Sequence, residues 1–529
     1  MTTQKIWASL DDFILPTEGR GLVGRSMANA FFFQALMEHS SYDQFHFFLA
    51  NSAHQRLFVE ANSAVIDRFH RKVQLFNRVD LAEQLAGTDY HVFHQSDHVH
   101  RFNELCRVRN RLGAKFPVTA RIHSISYGEY MGKYLEMAHT GVTAHDAIFC
   151  SSASGKRALA NCFQRVKHCA GRQPPVRLID MPLGIGADRP ALDRQDARAR
   201  LGITSQVTAL AFGRFSDFDK MDLFPLLQAM RRAWESGRPW RLIMAGAANS
   251  PEYLRMVELW VRAQGLEQAV TVMADPDEAA KAALFAGADF FVSVADNPQE
   301  TFGLTVLEAM AHGLPILASD LDGYRDTTTA DCAILVPTSW SDFDGLARIH
   351  PAMDELTFHR YMAQALEVDV AKLAAGLSLL FHDSGLRQRM GQAARQRFEE
   401  EFSHGPLIRR METTWRDLAA SFTPADREDP LNMEIFSSFG HYVTGFLAED
   451  TFLRATSFAG EITALGSSYP LFSGMNEIID ASLVPAIINA CGDGMQVKQL
   501  EHALGIASWR VRYTLLWMLK HELLERDDR

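Results

Sequence analysis

Long hydrophobic runs are missing from this chain. Across its 529 residues no uninterrupted apolar stretch approaches the ~20 residues needed to cross a bilayer, so a membrane-spanning helix is not expected. The opening residues Met1 to Trp7 include no apolar core of signal-peptide length. The expected compartment is therefore the cytoplasm, with peripheral attachment to the inner membrane as a variant. Cysteine is scarce and scattered. Cys106, Cys150, Cys162, Cys169, Cys332 and Cys491 form no Cys-x-x-Cys pair and have no histidine at zinc spacing, which argues against a zinc module or a disulfide framework. Positive charge is in deficit as well. A formal net charge of -11 gives no general attraction to nucleic acid or anionic lipid, so a polyanionic ligand has to be held locally. No Asp-x-Asp motif is read in a loop suited to magnesium.

What the chain does have is alternation. Its length exceeds one hydrophobic core, and at roughly 150 residues per domain it predicts three or four units. Over 1–190, apolar strands at 45–49, 90–93, 118–122, 147–150 and 176–181 alternate with helical stretches, as in an open α/β unit. A turn at 182–188 is the expected hinge. From 191 to 402 the pattern restarts, with strands at 208–212, 241–245, 270–273, 290–294, 316–318 and 334–336. Residues 338–362 read as an added loop before a helix at 363–381. The stretch 407–422 has helical apolar spacing, and within 403–430 the polar, proline-bracketed 423–430 reads as a linker. Beyond it, 431–529 forms a C-terminal extension. Short helices at 483–491, 497–504 and 508–519 with intervening glycine turns suggest a winged-helix or helix-turn-helix unit over 482–529. Residues 476–529 hold six basic side chains against eight acidic ones, whereas a duplex reader should be basic. A protein partner or self-association is preferred there, and DNA is disfavoured.

The densest chemistry lies in residues 297–326. The apolar run 290–294 reads as a buried strand, so the loop after it leaves the carboxyl edge of a sheet, where open α/β sheets bind ligands. Phe302, Gly303, Leu304 and Thr305 then open a helix whose first amides lack intrahelical partners and suit an anionic phosphate. Glu300 would stand beside that anion. Glu308, further along the helix, can accept from sugar hydroxyls. Spacing alone would equally describe exposed charge on an amphipathic helix. A second cluster, Arg214 and Lys220, follows the strand 208–212 and puts two cations at the same edge, suited to charge developing on a leaving diphosphate. In the first unit, Gly19, Gly21 and Gly24 make a turn that lets backbone approach a ligand, flanked by Arg20 and Arg25. His123 ends the strand 118–122, and His94 and Asp97 follow the strand 90–93.

Joined to the stop at Gly313, Leu314 and Pro315 and the turn at 319–323, the pair Glu300 and Glu308 resembles the Glu-x7-Glu signature of the retaining glycosyltransferases of family 4 (GT4). That resemblance implies a GT-B fold, two doubly wound Rossmann-like domains facing a cleft, with 1–190 on the acceptor side and 191–402 binding the nucleotide sugar. A helix near 407–422 would cross back onto the first domain. The implied activity is retaining hexosyl transfer from a nucleotide-diphospho-sugar to an acceptor hydroxyl, without metal or other cofactor, UDP-sugars slightly favoured. By the same resemblance Glu300 holds the transferred sugar, and Arg214 and Lys220 grip the diphosphate. The amides at 302–305 and Gly21 meet the phosphates, Glu308 the ribose, and His123 lies close to the sugar; by position alone, His94 and Asp97 are placed on the acceptor side. The sequence departs from the family at Met221, where glycine is usual, and by one extra residue between Arg214 and Lys220. A sugar-nucleotide epimerase, a phosphorylase, and a non-catalytic sensor signalling through 482–529 remain alternatives. The acceptor, whether glycan, lipid-linked sugar, small molecule or protein, cannot be read.

Overall fold

Short buried apolar runs separated by amphipathic helices assemble into two parallel sheets. The computed structural model describes residues 4–14, 24–186, 192–234, 238–424, 429–464, 471, 474–479 and 482–526. The first lobe runs β1 (Ile6–Ser9), α1 (Gly24–His39), β2 (Gln44–Leu49), α2 (Ser52–Arg68), β3 (Val73–Asn77), α3 (Leu81–Gly87), β4 (Val92–Gln95), α4 (Phe102–Leu112), β5 (Val118–Arg121), α5 (Tyr130–His139), β6 (Ala147–Cys150), α6 (Ala153–Ala170) and β7 (Arg177–Asp180). Its sheet has the order β3-β2-β1-β4-β5-β6-β7. The second lobe runs α7 (Arg194–Arg200), β8 (Val207–Phe212), α8 (Phe224–Ala233), β9 (Trp240–Gly246), α9 (Pro251–Ala263), β10 (Val270–Ala274), α10 (Glu278–Gly287), β11 (Phe290–Ser293), α11 (Leu304–Ala311), β12 (Ile316–Ser319), α12 (Tyr324–Thr327) and β13 (Ala333–Val336). Its order is β10-β9-β8-β11-β12-β13.

In both sheets the order reverses beside the first strand, between β1 and β4 and between β8 and β11. Helices leave the two sides of such a switch point toward opposite faces, which opens a crevice at the strand carboxyl ends. The parallel registers Phe290↔Ala209 through Val292↔Ala211 bring the loop after β8 against the loop after β11. Two facing doubly wound lobes of this order make a GT-B fold.

Residues 338–369 are more than a loop. They form β14 (Thr338–Ser339), α13 (Asp344–Ile349), α14 (Glu355–Gln364) and β15 (Glu367–Val368), the two strands pairing antiparallel, before α15 (Val370–His382) and α16 (Ser384–Arg397). This insert reaches across to the first lobe. Glu355 Oε1 accepts from the Gly128 amide at 2.9 Å, and His359 Nε2 donates to the Ser126 carbonyl at 3.2 Å. Gln364 donates back to the Asp217 carbonyl at 2.9 Å.

The crossover helix α17 (His404–Ala420) buries Leu407, Ile408, Met411, Trp415 and Leu418 among Trp7, Phe32, Phe47 and Phe149 of the first lobe. Its apolar stripe at helical spacing is what docks it, and Trp415 Nε1 donates to Thr119 Oγ1 at 3.0 Å. At the hinge, the Ile185 amide donates to the Phe402 carbonyl at 3.1 Å.

After α18 (Ile435–Phe439), the extension holds β16 (Phe452–Ala455), α19 (Ser457–Ala464), α20 (Leu483–Ala490), β17 (Met495–Gln496), α21 (Val497–Leu504), α22 (Ser508–Lys520) and β18 (Leu524–Arg526). Helices α20, α21 and α22 pack on a small antiparallel sheet, order β17-β16-β18, around Leu453, Ile487, Leu500, Val511, Leu515 and Met518. The unit rests on the first lobe through Arg510, which pairs with Asp80 and, at 3.0 Å, with Glu83. Among the described residues no helix is long and apolar enough to cross a membrane.

Candidate active site

The second lobe's switch point gathers the charged groups. β8 ends at Phe212, and the chain turns at Gly213, where backbone passes so close that a Cβ on Gly246 would lie 1.8 Å from the Gly213 carbonyl oxygen. Only glycine at 246, with φ +153°, permits that approach. The turn delivers Arg214 and Lys220 to the cleft. Lys220 Nζ donates to Glu300 Oε2 at 2.5 Å. Burial works against the Lys220 cation, but the Glu300 carboxylate outweighs it and holds the ammonium above the ordinary lysine pKa. Asn297 fixes the loop by donating to the Lys220 carbonyl at 2.8 Å. Arg214 Nη2 donates to the Asp219 carbonyl at 3.0 Å and lies 3.2 Å from the Asp219 carboxylate.

Gly303 caps α11 with φ +96°, a conformation open to glycine, and a Cβ there would lie 2.4 Å from Tyr324 Cε1. The Val306 and Leu307 amides both return to the Gly303 carbonyl, leaving the Leu304 and Thr305 amides as the helix's donors without intrahelical partners. Among the described residues, Arg214 Nε, Asp219 Oδ1, Asp296 Oδ1 and Thr305 Oγ1 are buried polar atoms with no partner. Such atoms are rare in folded proteins and mark places where a polar ligand or water belongs. Glu308, one turn on, is buried, and its Oε1 pairs with Lys281 Nζ at 2.9 Å. Two further carboxyls sit close by. Burial, then the charges of Glu300 and Asp326, push Asp322 up to about 7. Burial pushes Asp296 up to about 8, although its Oδ2 accepts the Asp222 amide at 2.9 Å.

On the first lobe, His123 Nε2 donates to the Ser96 carbonyl at 2.8 Å, which leaves Nδ1 as the acceptor of a neutral ring. Burial lowers its pKa to about 4 against the opposing pull of Asp97. Asp97 pairs with Arg25 at 3.3 Å. Arg25 also lines a cavity of about 420 Å³ with Asp11, Val99, His100, Arg101, Glu104 and Lys133, at the carboxyl ends of β1 and β4.

The structure thus joins Glu300, Lys220 and the Arg214 loop around the start of α11, with Glu308 behind them. His123, Asp97 and Arg25 form a separate first-lobe group. Gly21 and Arg20 lie outside the described residues. Two sequence expectations need correction. His94 does not line the acceptor side: β4 extends through it, its Nδ1 bonds Thr119 Oγ1 at 2.9 Å, and its ring packs on Phe32, Phe149 and Trp415. An Asp-x-Asp does lie in the relevant loop, at Asp217 and Asp219. Its carboxylates are paired with protein cations, Asp217 with Arg360 at 3.3 Å and Asp219 with Arg214 at 3.2 Å. Lys281 lies outside the stretch the sequence singles out, and Asn297, Asp322 and Tyr324 lie within it without a role assigned to them. Their roles come from strand order.

The family Glycosyl transferases group 1 matches residues 193–348, the stretch that includes Arg214, Lys220, Glu300 and Glu308. A GDP-mannose:cellobiosyl-diphosphopolyprenol alpha-mannosyltransferase of Komagataeibacter xylinus is 35% identical over 144 residues, 27% of this chain and 34% of the relative. A phosphatidyl-myo-inositol mannosyltransferase of Mycobacterium leprae is 29% identical over 191 residues, 36% of this chain and 48% of the relative. The chain therefore spans about a third to a half of the length of these curated relatives. In overall fold it is similar to Anabaena Alr3699/HepE in complex with UDP, with TM-score 0.54, 12% identity, and coverage of 78% of this chain and 100% of that one. A glycosyltransferase from Rickettsia africae gives TM-score 0.54 at 12% identity, covering 80% of this chain and 100% of that one.

Proposed function

We propose that the protein is a retaining glycosyltransferase that moves a hexose from a nucleotide-diphospho-sugar to an acceptor hydroxyl without a catalytic metal. The observation that carries this reading is the Lys220–Glu300 pair set beside the free amides of α11 and the unpartnered Arg214 Nε and Thr305 Oγ1. Cations and amide dipoles fixed in advance at one edge stabilise an oxyanion without reorganising during reaction.

In this reading the diphosphate lies between Lys220, Arg214 and the Leu304 and Thr305 amides. Those groups take the place a divalent ion would occupy, and Asp217 and Asp219 stay paired with arginines. The bond from the anomeric carbon to the diphosphate oxygen breaks on the face where the acceptor oxygen bonds. The acceptor's proton passes to the departing phosphate, and the nucleoside diphosphate leaves. Glu300 holds the sugar hydroxyls and steadies positive charge at the anomeric carbon. Glu308, paired with Lys281, accepts from the ribose. His123, neutral with Nδ1 free to accept, faces the sugar from the first lobe, and the Arg25 cavity is the acceptor side. The names of the sequence relatives point to a mannosyl donor and the fold neighbour to UDP, so GDP-mannose and UDP-glucose are the two donors to try first.

Residues 482–526 read as a winged-helix-like docking unit. Arg510 and Arg512 are both engaged with carboxylates, while Trp509, Tyr513 and Leu516 are exposed, a surface suited to protein more than to phosphate.

The direct test is Glu300→Gln. Transfer, followed as nucleoside diphosphate released in the presence of acceptor, should fall by about 10² or more, while a donor that binds should still raise Tm. Because the change leaves the Lys220 cation without its buried partner, a stability loss of about 1–3 kcal/mol is expected as well. Full transfer by a folded variant would remove the mechanism. Steady release without acceptor would favour the epimerase.

A further inference from the structure

Away from the cleft, α1 ends on Glu38 and His39, and α17 begins with His404. His404 is 2% exposed, yet among the described residues neither of its ring nitrogens has a hydrogen-bond partner. A buried imidazole in that state is costly unless something supplies the missing contact. Its Nδ1 lies 3.9 Å from Glu38 Oε2, and His39 Nε2 lies 3.7 Å from Glu38 Oε1. Both separations are too long for hydrogen bonds. All three donor atoms nevertheless fall within 4.8 Å of one another.

We propose that Glu38, His39 and His404 form a binding site for a divalent transition-metal ion of the zinc class, which staples the crossover helix to the first lobe. Two imidazoles and one carboxylate are a donor set that such ions take, with water completing a tetrahedron. Metal–donor bonds near 2.1 Å place tetrahedral donors about 3.4 Å apart. The three side chains have to draw in by about 1 Å, within reach of small torsional changes in Glu38 and His39, which are partly exposed at 23% and 35%. The carboxyl end of α1 favours a cation and the amino end of α17 disfavours it, so the formal charge of Glu38 decides the balance. Arg71 donates to the carbonyls of Met37, Glu38 and Ser40 and so occupies the backbone at the end of α1. The side chains are left facing His404.

The position gives the site a consequence. Ser403 pairs with Ile185 in an isolated bridge at the join between the lobes, one residue before His404. A metal bound there fixes the start of α17 against α1, the helix that follows the glycine turn. The ion acts on the hinge and takes no part in the transfer chemistry.

The test uses the full chain, stripped with chelator, dialysed and titrated with Co²⁺. One ion per chain should bind, with the visible absorption of tetrahedral cobalt, and Zn²⁺ should displace it and raise Tm. His39→Ala and Glu38→Gln alter partly exposed side chains and should leave the fold intact. Each should weaken Co²⁺ binding by about tenfold or more and lose the Zn²⁺-dependent rise in Tm. No tetrahedral spectrum in the wild type, or undiminished one-to-one binding in both variants, overturns the proposal.

Discussion

Single residues at the second lobe's switch point are held in protonation states that their neighbours enforce, and Asp296 shows this most simply. It is buried, one carboxylate oxygen accepts the Asp222 amide, and the other has no partner, so its proton is retained up to about pH 8. The folded pKa stands above the unfolded value of 3.8. The stability this group contributes is therefore present in acid and is lost as pH rises from the unfolded value through about 8. Asparagine keeps the acceptor for Asp222 and has no proton to release. Asp296→Asn should gain stability relative to wild type by on the order of 3–4 kcal/mol more at pH 8 than at pH 5, read from urea midpoints. An equal difference at both pH values would show that the carboxyl is ionised in the folded state. Glu300 and Lys220 were legible in the sequence as residues of two loops after two strands. That these loops touch depends on β8 lying beside β11, which no local spacing encodes, and for the same reason the Glu308–Lys281 pair was invisible.

At the scale of elements, α11 is positioned by glycine at both approaches. Gly303 stands at φ +96° against Tyr324, and a Cβ on Gly323 would come within 2.3 Å of the Thr301 carbonyl oxygen. Gly303→Ala should cost about 1–3 kcal/mol for the backbone conformation alone and turn the first amides of α11 out of line. Loss of donor binding in thermal-shift titration, larger than the loss of stability predicts, is the expected signature. A variant that binds donor normally would dissociate the helix start from the phosphate site. The crossover helix offers a second check. Trp415 is fully buried and bonded to Thr119, so Trp415→Ala should destabilise by about 3–5 kcal/mol and lower the first urea transition. The apolar stripe of α17 was readable because helical periodicity survives a change of partner. Two first-lobe strands were not. β1 is only four residues long and ends on Ser9, and β3 carries Gln74 and Asn77 on partly exposed backbone at the sheet edge, so neither presents a run of apolar residues. The strands of the C-terminal sheet, two to four residues each, fall below what periodicity can detect. Residues 338–362 read as a loop in the sequence because the helices there bury little. Their contacts to Ser126 and Gly128 exist only when both lobes are present.

Across the whole molecule the lowered histidines gather mainly in the first lobe and the raised carboxyls mainly in the second, with Asp11 (raised, first lobe) and His359 (lowered, second lobe) as exceptions, and this balance predicts opposite responses to pH. In the first lobe, burial lowers His46, His98 and His123 to about 4 and His94 well below the ordinary value of 6.5. Below pH 6.5 the unfolded chain takes up protons that these folded rings refuse, so first-lobe stability falls as pH drops from 6.5 toward 4, by up to about 1.4 kcal/mol per pH unit for each histidine. In the second lobe, Asp296 and Asp322 are raised to about 8 and about 7, so acid favours the fold there and rising pH weakens it. The lobes should therefore separate on acidification. Near pH 7 their unfolding transitions should overlap. At pH 5 the first lobe should melt earlier, while the second holds or gains. Differential scanning calorimetry at pH 7, 6 and 5, with limited proteolysis to assign the early transition, measures this directly. The first new cleavages at pH 5 should fall within 24–186. His46→Gln and His98→Gln should each narrow the gap between transitions at pH 5 and leave it unchanged at pH 7. Cleavage beginning in 192–397, or a gap that closes in acid, would mean that these histidines are charged in the fold and that pH does not act on the two lobes with opposite sign.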